Sequence, residues 1–413
     1  MPVVTGTAGA GRAAWRVVLG LGVVSLAADM VYEGARSVTG PLLALLGVPM
    51  LLAGLVTGAG EAAALVLRLP FGARADRAGR YWPTTLTGYA LTAVGVPLLA
   101  LTPLLGAAGA GVACALLLLE RVGKAVRSPS KSVLLARAAE QVGLGRGFGV
   151  HKAMDQVGAF VGPLLVAGVL ALTGSLVPAL AVLAVPGTIA MVLLVAVRRL
   201  APDDVPPDPA TPPGPTSTSA TRRSWLGPAR ELPRPFWLFA AAAAAVGAGL
   251  TTFAVISYHL VDQGLLHATL VPVVYAGAML AAAIGALVVG VVHDRVGPRA
   301  VLVVPALVAT VPPLAFAPTL PAVLVGVAAW GLAGGLLDST VKARVAELVP
   351  PGRRATAYGW FAAVQGLAAV AGGGLAGALA TDAPQALTAT VALLQVIASI
   401  LMVAAATSAR ARP

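Results

Sequence analysis

Long apolar stretches separated by short polar segments run along almost the whole chain. A helix that crosses a lipid bilayer needs about 20 mainly apolar residues. On that basis the sequence predicts twelve membrane spans, at 15–46, 49–70, 84–104, 106–131, 148–173, 176–197, 236–259, 268–291, 300–317, 321–346, 356–380 and 384–407. The first span is long and contains Gly40-Pro41, which predicts a bend there or a helix that continues past the bilayer.

The basic residues follow the alternation of these spans. With residue 1 on the cytoplasmic side, arginines fall in the cytoplasmic segments, and the outer loops near 47, 105, 175, 264, 319 and 382 contain no arginine or lysine. The positive-inside rule then predicts a multi-pass protein of the cell (inner) membrane with both termini in the cytoplasm. Arg12 and Arg16 before an apolar run are typical of a signal peptide, but the run continues through Asp29, so we expect no cleavage.

Composition supports a membrane protein and excludes other classes. The chain is 58% hydrophobic and 11% charged, whereas soluble domains carry about 25% charged residues. Its net charge of +12 is spread over short clusters, which favours topology signals over a nucleic-acid surface. One cysteine, Cys114, and four scattered histidines give no metal motif, and 122–125 lacks the residues of a nucleotide-binding loop. No nucleophile–base set appears, so we expect no enzyme, no nucleotide and no nucleic-acid partner.

A change of composition divides the chain. Residues 200–234 are rich in proline, serine and threonine and cannot build a core, so they predict a flexible cytoplasmic linker. The linker separates an N-terminal six-helix bundle, 1–199, from a C-terminal six-helix bundle, 235–413. Two parallel six-helix halves with a site between them are an architecture of secondary transporters.

A repeated loop carries a family resemblance. Gly-Ala-Arg-Ala-Asp-Arg-Ala-Gly-Arg at 72–80 follows the second span, and a related string at 290–299 follows the eighth span. This loop resembles the hallmark loop of the major facilitator superfamily, which implies an all-α fold of two pseudo-symmetric bundles. In that family the loop is a conformational latch, so the resemblance implies this role for Gly72, Asp76, Arg77, Gly79, Arg80, Asp294 and Arg295. The alternative is that the basic residues serve only as topology signals.

The fifth span contains a second motif. Gly158, Gly162 and Pro163 resemble the antiporter motif of superfamily exporters that exchange substrate for protons. The sequence departs from the fuller motif at 166–168. Because Gly-x-x-x-Gly is also a general helix-packing pattern in membranes, close packing is the alternative interpretation.

Charged residues within the spans carry the candidate chemistry. Asp29, Glu33 and Arg36 share one face of the first helix with Tyr32 beside them, and Glu61 lies in the second span. The fourth span adds Glu120, Arg121, Lys124, Arg127 and Lys131, and the fifth adds Lys152 and Asp155.

Each of these charges would cost about 2.5–3.5 kcal/mol if it faced lipid, so most of them must face a cavity or one another. Structural pairing remains the alternative to function for each. The proton-coupling candidates are Asp29, Glu33, Arg121 and Asp155.

The second half has fewer charges and more aromatic residues. We expect a central cavity with a polar first-half wall and a mostly apolar second-half wall. Its candidate residues are Tyr32, Arg36, Lys124, Arg127, Phe253, Tyr275, Trp330 and Gln365. Packing or anchoring at the membrane interface is the alternative role of the aromatic residues.

These features predict a secondary transporter that works by alternating access. We expect a monomeric, proton-coupled antiporter that exports small organic molecules, with the proton gradient as energy source and no cofactor. The alternative is a proton symporter that imports a small, anionic metabolite, since Arg121, Lys124 and Arg127 lie in one helix. A non-transporting membrane sensor or enzyme is a remote third possibility.

Overall fold

The computed structural model describes residues 7–200, 229, 232–296, 302–350 and 353–410, and this described part is helical with no strand. The first half contains α1 (Thr7–Ser37), α2 (Thr39–Leu45), α3 (Met50–Val66), α4 (Arg68–Ala78), α5 (Tyr81–Leu98), α6 (Gly109–Ala139), α7 (Leu144–Thr173), α8 (Leu176–Ala181) and α9 (Ala184–Leu200). The second half contains α10 (Arg234–Gly249), α11 (Phe253–Asp262), α12 (Val271–Val296), α13 (Val303–Ala315), α14 (Leu320–Leu348), α15 (Arg354–Leu379) and α16 (Pro384–Arg410).

Each predicted span overlaps one of these helices or two consecutive ones. Within the described residues, ten helical segments are long and apolar enough to cross a membrane. Two shorter apolar helices, Val271–Leu287 and Val303–Ala315, lie where the sequence predicts the eighth and ninth spans. The fold is therefore an all-α membrane fold.

The first and the seventh predicted spans are each divided between two helices. The first breaks at Val38, between α1 and α2, and not at Gly40-Pro41. Pro41 is the third residue of α2, where a backbone amide has no partner within the helix, so the proline is tolerated there. The seventh span breaks between α10 and α11, and the indole Nε1 of Trp330 donates to the freed carbonyl of Thr251 at 2.7 Å.

Apolar side chains form separate cores in the two halves. Two buried clusters contain first-half residues between 17 and 197, and two others contain residues between 232 and 405 together with Met50. In the first half α7 packs on α1, and in the second half α12 packs on α14. Each half thus has its own packed interior, and the site lies where the halves meet.

Small residues bring α3 and α15 together across the two halves. A Cβ on Gly54 would lie 2.9 Å from the carbonyl carbon of Gly373, and one on Gly377 would lie 2.8 Å from the Cα of Leu51. Side chains at these glycines would overlap backbone atoms, which cannot rotate away. At the same end of the bundle, Gly40 of α2 contacts the backbone of Ala254 and Tyr258 in α11. The halves are therefore closed against each other at the end that carries Gly47, which we call the Gly47 end; the opposite end is the Gly79 end.

Candidate functional site

The polar face of α1 is the centre of the candidate site. Asp29 and Glu33 are buried, and Arg36 follows Glu33 by three residues on the same face. A buried carboxylate or guanidinium is stable in this position only with partners of opposite charge. The neighbouring helices supply those partners.

Two guanidinium groups and three carboxylates form a network across α1, α3 and α6. Arg36 donates from Nη2 to Glu61 Oε1 at 2.6 Å, and its Nη1 lies 3.9 Å from Glu33 Oε1. Arg121 Nη1 lies 3.5 Å from the same Glu61 oxygen, and Arg121 Nε lies 3.2 Å from Glu120 Oε2. Glu61 is therefore the shared counter-charge of both guanidinium groups.

A small cavity of about 30 Å³ adjoins this network between the two halves. Its polar lining residues are Arg36, Thr39, Thr57, Glu61, Arg121 and Thr252, and the apolar ones include Val56, Leu117 and Ala254. A volume of this size has room for about one or two water molecules. A substrate therefore requires the halves to separate further.

Two hydrogen bonds cross the boundary between the halves beside the cavity. The phenol of Tyr275 donates to Glu33 Oε2, and the hydroxyls of Thr57 and Thr252 lie 2.8 Å apart. The Glu33 side chain thus contacts Arg36 in its own half and Tyr275 in the other. Its charge is linked directly to the contact between the halves.

The aromatic residues predicted for the apolar wall pack mainly on one another. The ring centroids of Phe253 and Tyr275 are 4.5 Å apart, and those of Phe253 and Trp330 are 5.7 Å apart. All three are buried and none lines the cavity. Gln365 lies on α15 facing α10, because a Cβ on Gly247 would lie 2.9 Å from its Oε1.

The basic residues of α6 gather around Tyr32. Lys124 Nζ lies 4.2 Å from the ring centroid of Tyr32, and the guanidinium carbons of Arg127 and Arg121 lie 5.6 and 5.9 Å from it. Arg127 also donates from Nη1 to Thr92 Oγ1 at 2.6 Å. Of the predicted cavity and proton-coupling residues, the structure thus brings Arg36 and Arg121 to the cavity and holds Tyr32, Lys124 and Arg127 beside it.

Asp29 and Asp155 belong to a second polar group inside the first half. Asp29 interacts electrostatically with Asp155 and Lys131, and Asp155 Oδ1 lies 3.7 Å from His151 Nε2. His151 was not among the residues predicted to belong to a site. The four-residue spacing of His151 and Asp155 on one helix was the available signal.

The antiporter-like motif of α7 lies in a close contact with α1. Gly158 and Gly162 of α7 lie against the backbone of Leu26 and Met30 in α1, with Pro163 buried beside them. A Cβ on Gly158 would lie 3.0 Å from Leu26 Cα, so this stretch forms a close helix contact.

Residues 72–80, for which the family resemblance implies a latch, form the end of α4 and the residues that follow it. Gly79 ends the helix with φ +61°, which favours glycine, and Asp76 accepts a hydrogen bond from the Tyr81 hydroxyl at 3.1 Å. Gly72 faces Pro129 of α6. Arg77 and Arg80 are exposed at this end. The side chains of Asp294 and Arg295 lie outside the described residues.

Replacement of Glu61 tests the shared counter-charge. Glu61→Gln leaves Arg36 and Arg121 with less opposing charge, so the free energy of unfolding should fall. We expect a loss of about 2–3 kcal/mol, below the roughly 3–5 kcal/mol of a fully buried pair, because the Glu61 side chain is 28% exposed. Thermal unfolding in detergent measures this loss. Glu140→Gln, on an exposed position, is the matched control, and adding Arg36→Gln should recover part of the stability. A Glu61→Gln protein as stable as the control would contradict the pairing.

Similarity to known proteins agrees with this architecture. The sequence model of the Major Facilitator Superfamily matches residues 21–304 and 262–413. An uncharacterised protein of Mycobacterium tuberculosis is 48% identical over 398 residues, covering 95% of this chain and 93% of the relative. An uncharacterised MFS-type transporter of Methanocaldococcus jannaschii is 26% identical over 392 residues, covering 92% and 93%. The crystal structure of a peptide transporter, POT, shares the fold with a TM-score of 0.74 at 16% identity, covering 95% of each chain. The chain therefore belongs to the Major Facilitator Superfamily and is a membrane transporter, not an enzyme.

Proposed function

We propose that the protein is a proton-coupled antiporter that exports small organic molecules from the cell by alternating access. In this proposal it crosses the inner membrane twelve times as two six-helix bundles, 1–199 and 235–413, joined by the cytoplasmic linker 200–234. The arginine pattern supports cytoplasmic termini. The Gly79 end then faces the cytoplasm and the Gly47 end faces outward.

The observation that carries proton coupling is the position of Glu33. Its carboxylate accepts the Tyr275 hydroxyl across the boundary and lies 3.9 Å from Arg36, which binds Glu61 at the cavity. A proton on Glu33 removes the charge that attracts both partners. Protonation therefore weakens one contact between the halves and changes the charge at the cavity wall, which links proton binding to opening.

The lining of the cavity supports amphipathic substrates. Arg36, Glu61 and Arg121 offer charge and hydrogen bonds, and Val56 and Leu117 offer apolar contact. In the closed arrangement this space holds about one or two waters, so the substrate enters when the Gly79 end opens. Contacts of the predicted latch at Asp76 and Arg77 would favour one of two arrangements of the halves, open or closed at the Gly79 end.

A second function is favoured by the two guanidinium groups that line the cavity. Arg36 and Arg121 can bind a carboxylate or phosphate of a metabolite in place of Glu61. Import of such an anion together with protons is the corresponding alternative. In import by symport, protons and substrate move in the same direction, whereas in export by antiport they move in opposite directions.

Proteoliposomes that contain the purified protein test both functions. Ethidium serves as the amphipathic cationic probe, a dipeptide as the probe with a carboxylate, and a pH-sensitive dye inside the vesicles reports proton movement. We expect an imposed proton gradient to drive ethidium against its concentration gradient, with protons moving the opposite way. Dipeptide entry together with protons would establish the alternative. Equal fluxes of both probes with and without the pH gradient would contradict proton coupling.

A further inference from the structure

A second polar cluster is buried inside the first half, and none of its residues lines the cavity. Ser25 of α1 lies at its centre. Lys131 donates from Nζ to Ser25 Oγ at 3.0 Å, the Tyr89 hydroxyl lies 3.1 Å from the same oxygen, and His151 Nε2 lies 3.3 Å from it. Four helices, α1, α5, α6 and α7, therefore meet at one serine hydroxyl.

The cluster contains buried polar atoms that lack partners. His151 Nδ1 and Asp155 Oδ1 are buried without a hydrogen bond to any residue that the structure describes. Buried polar side-chain atoms in folded proteins normally have a hydrogen-bond partner, so a water molecule or a proton can be bound at these two atoms. The His151 side chain is only 6% exposed, whereas that of Asp155 is 16% exposed. Asp155 is thus the member of the pair that reaches the accessible surface.

The surrounding charges nearly balance. The charged groups near His151 are Lys131 of α6 and Lys152 and Asp155 of α7. Asp29 of α1 faces Asp155, Lys131 and Arg127, and Arg127 also lies over the ring of Tyr89 of α5, whose hydroxyl contacts Ser25. Asp29 and Asp155 offset the charges of Lys131 and Arg127, and Lys152 is exposed. A second proton on the His151 ring therefore adds a positive charge that has no counter-charge of its own. The protonated fraction of His151 is for this reason sensitive to the charge of each neighbour.

The cluster is continuous with the cavity network along α1. Ser25, Asp29 and Glu33 are spaced by four residues, so their side chains follow one another on one face about 6 Å apart. His151 lies seven residues after the start of α7, about 10 Å from the Gly79 end of that helix. The cluster therefore lies between that end and Glu33.

We propose that His151, Asp155 and Asp29 form a second proton-binding site, which holds one proton on His151 and exchanges it with water through Asp155. The proposal rests on the proton coupling proposed above. On release, the proton leaves Nε2 of His151 and binds Oδ1 of Asp155: the N–H bond breaks and an O–H bond forms. Asp155 then gives the proton to water and regains its negative charge. At 3.7 Å, one bridging water or a small approach of the side chains completes the path.

Nuclear magnetic resonance of the full-length protein in lipid nanodiscs tests this site without a substrate. The chain has four histidines, His151, His259, His267 and His293, so labelling of histidine nitrogens gives a short spectrum, and His151→Gln identifies the His151 signals. We expect these signals to change during a titration from about pH 8, on the upper side of the range of an unperturbed histidine, to well below about pH 5, because His151 is buried beside Lys131. Asp29→Asn and Asp155→Asn should each shift the midpoint by about one pH unit.

His259 is the matched control for this measurement. It is buried like His151, but it packs on the ring of Phe316 in the second half, at 5.4 Å between ring centroids. Its signals should be unaffected by Asp29→Asn. If His151→Gln does not fold, variants of the other three histidines assign the His151 signals by elimination.

The outcomes separate this inference from the proposed function. His151 signals that stay constant over the pH range, or that respond equally in wild type and in both aspartate variants, would overturn the second proton site. Ethidium transport by His151→Gln should fall about tenfold relative to His259→Gln under a pH gradient. A further outcome is that wild-type vesicles show no proton-coupled flux while the His151 signals still change with pH and still respond to Asp29→Asn. In that case the transport proposal fails and the proton site stands.

Discussion

A leucine in place of Gly373 is expected to abolish transport while leaving the protein folded and inserted. Gly373 lies in the contact between α3 and α15, where a Cβ would already be 3.0 Å from the carbonyl carbon of Gly54. The overlap is with backbone, so the two halves must move apart at the Gly47 end. Overpacking of this kind costs about 1–3 kcal/mol, which reduces the closed population about 5- to 150-fold.

Ala378→Leu is the matched control for this substitution. Ala378 lies on the same helix but is exposed, so the larger side chain meets no partner there. Ethidium flux in proteoliposomes measures the loss, and spin labels at Leu104 and Gln385 measure the opening of the Gly47 end. Flux equal to that of Ala378→Leu would show that closure at α3 and α15 is not needed for transport.

The second large effect is expected from Glu33→Gln. The amide keeps the size of the side chain but removes the charge that Arg36 and Tyr275 contact. We expect proton-driven flux to fall by about 100-fold, the scale of a lost proton-transfer group, while counterflow of ethidium without a pH gradient continues. Asp29→Asn is measured in parallel, since Asp29 belongs to the neighbouring proton cluster.

Two further variants define the role of Glu33. Tyr275→Phe removes the bond between the halves but keeps the carboxylate, so it should alter the rate of opening more than the response to pH. Asp382→Asn, on an exposed acid near the Gly47 end, is the control. Full proton-driven transport in both Glu33→Gln and Asp29→Asn would show that neither carboxylate exchanges the coupling proton.

The positions of the helices were predictable because burial in lipid imposes a simple length rule. About 20 apolar residues are required whatever the neighbours are, so each predicted span overlaps a helix. The break of the first span was predicted at Gly40-Pro41 and occurs at Val38. A proline interrupts hydrogen bonds only beyond the first turn, and the sequence does not show where a new helix begins.

The partners within the site were less predictable, because they depend on how helices are rotated against one another. Burial cost indicates that Arg36 has a partner but does not select Glu61 over Glu33. The aromatic residues of the second half were expected at the cavity, and three of them pack together. Ser25, Tyr89 and His151 of the second polar cluster were missed because, unlike Asp29, Lys131 and Asp155, they carry no fixed charge and therefore no comparable burial penalty in the sequence.

Spin-label distances at both ends of the molecule test alternating access most directly. With Cys114 replaced by alanine, one pair at Leu104 and Gln385 reports the Gly47 end, and a second pair at Leu144 and Arg354 reports the Gly79 end. Both are measured in nanodiscs at about pH 5 and about pH 8. We expect the population with a longer distance at one end to grow as the population with a longer distance at the other end declines, and we expect Glu33→Gln to remove this response to pH. Distances that stay the same at both pH values, or that lengthen at both ends together, would contradict proton-coupled alternating access.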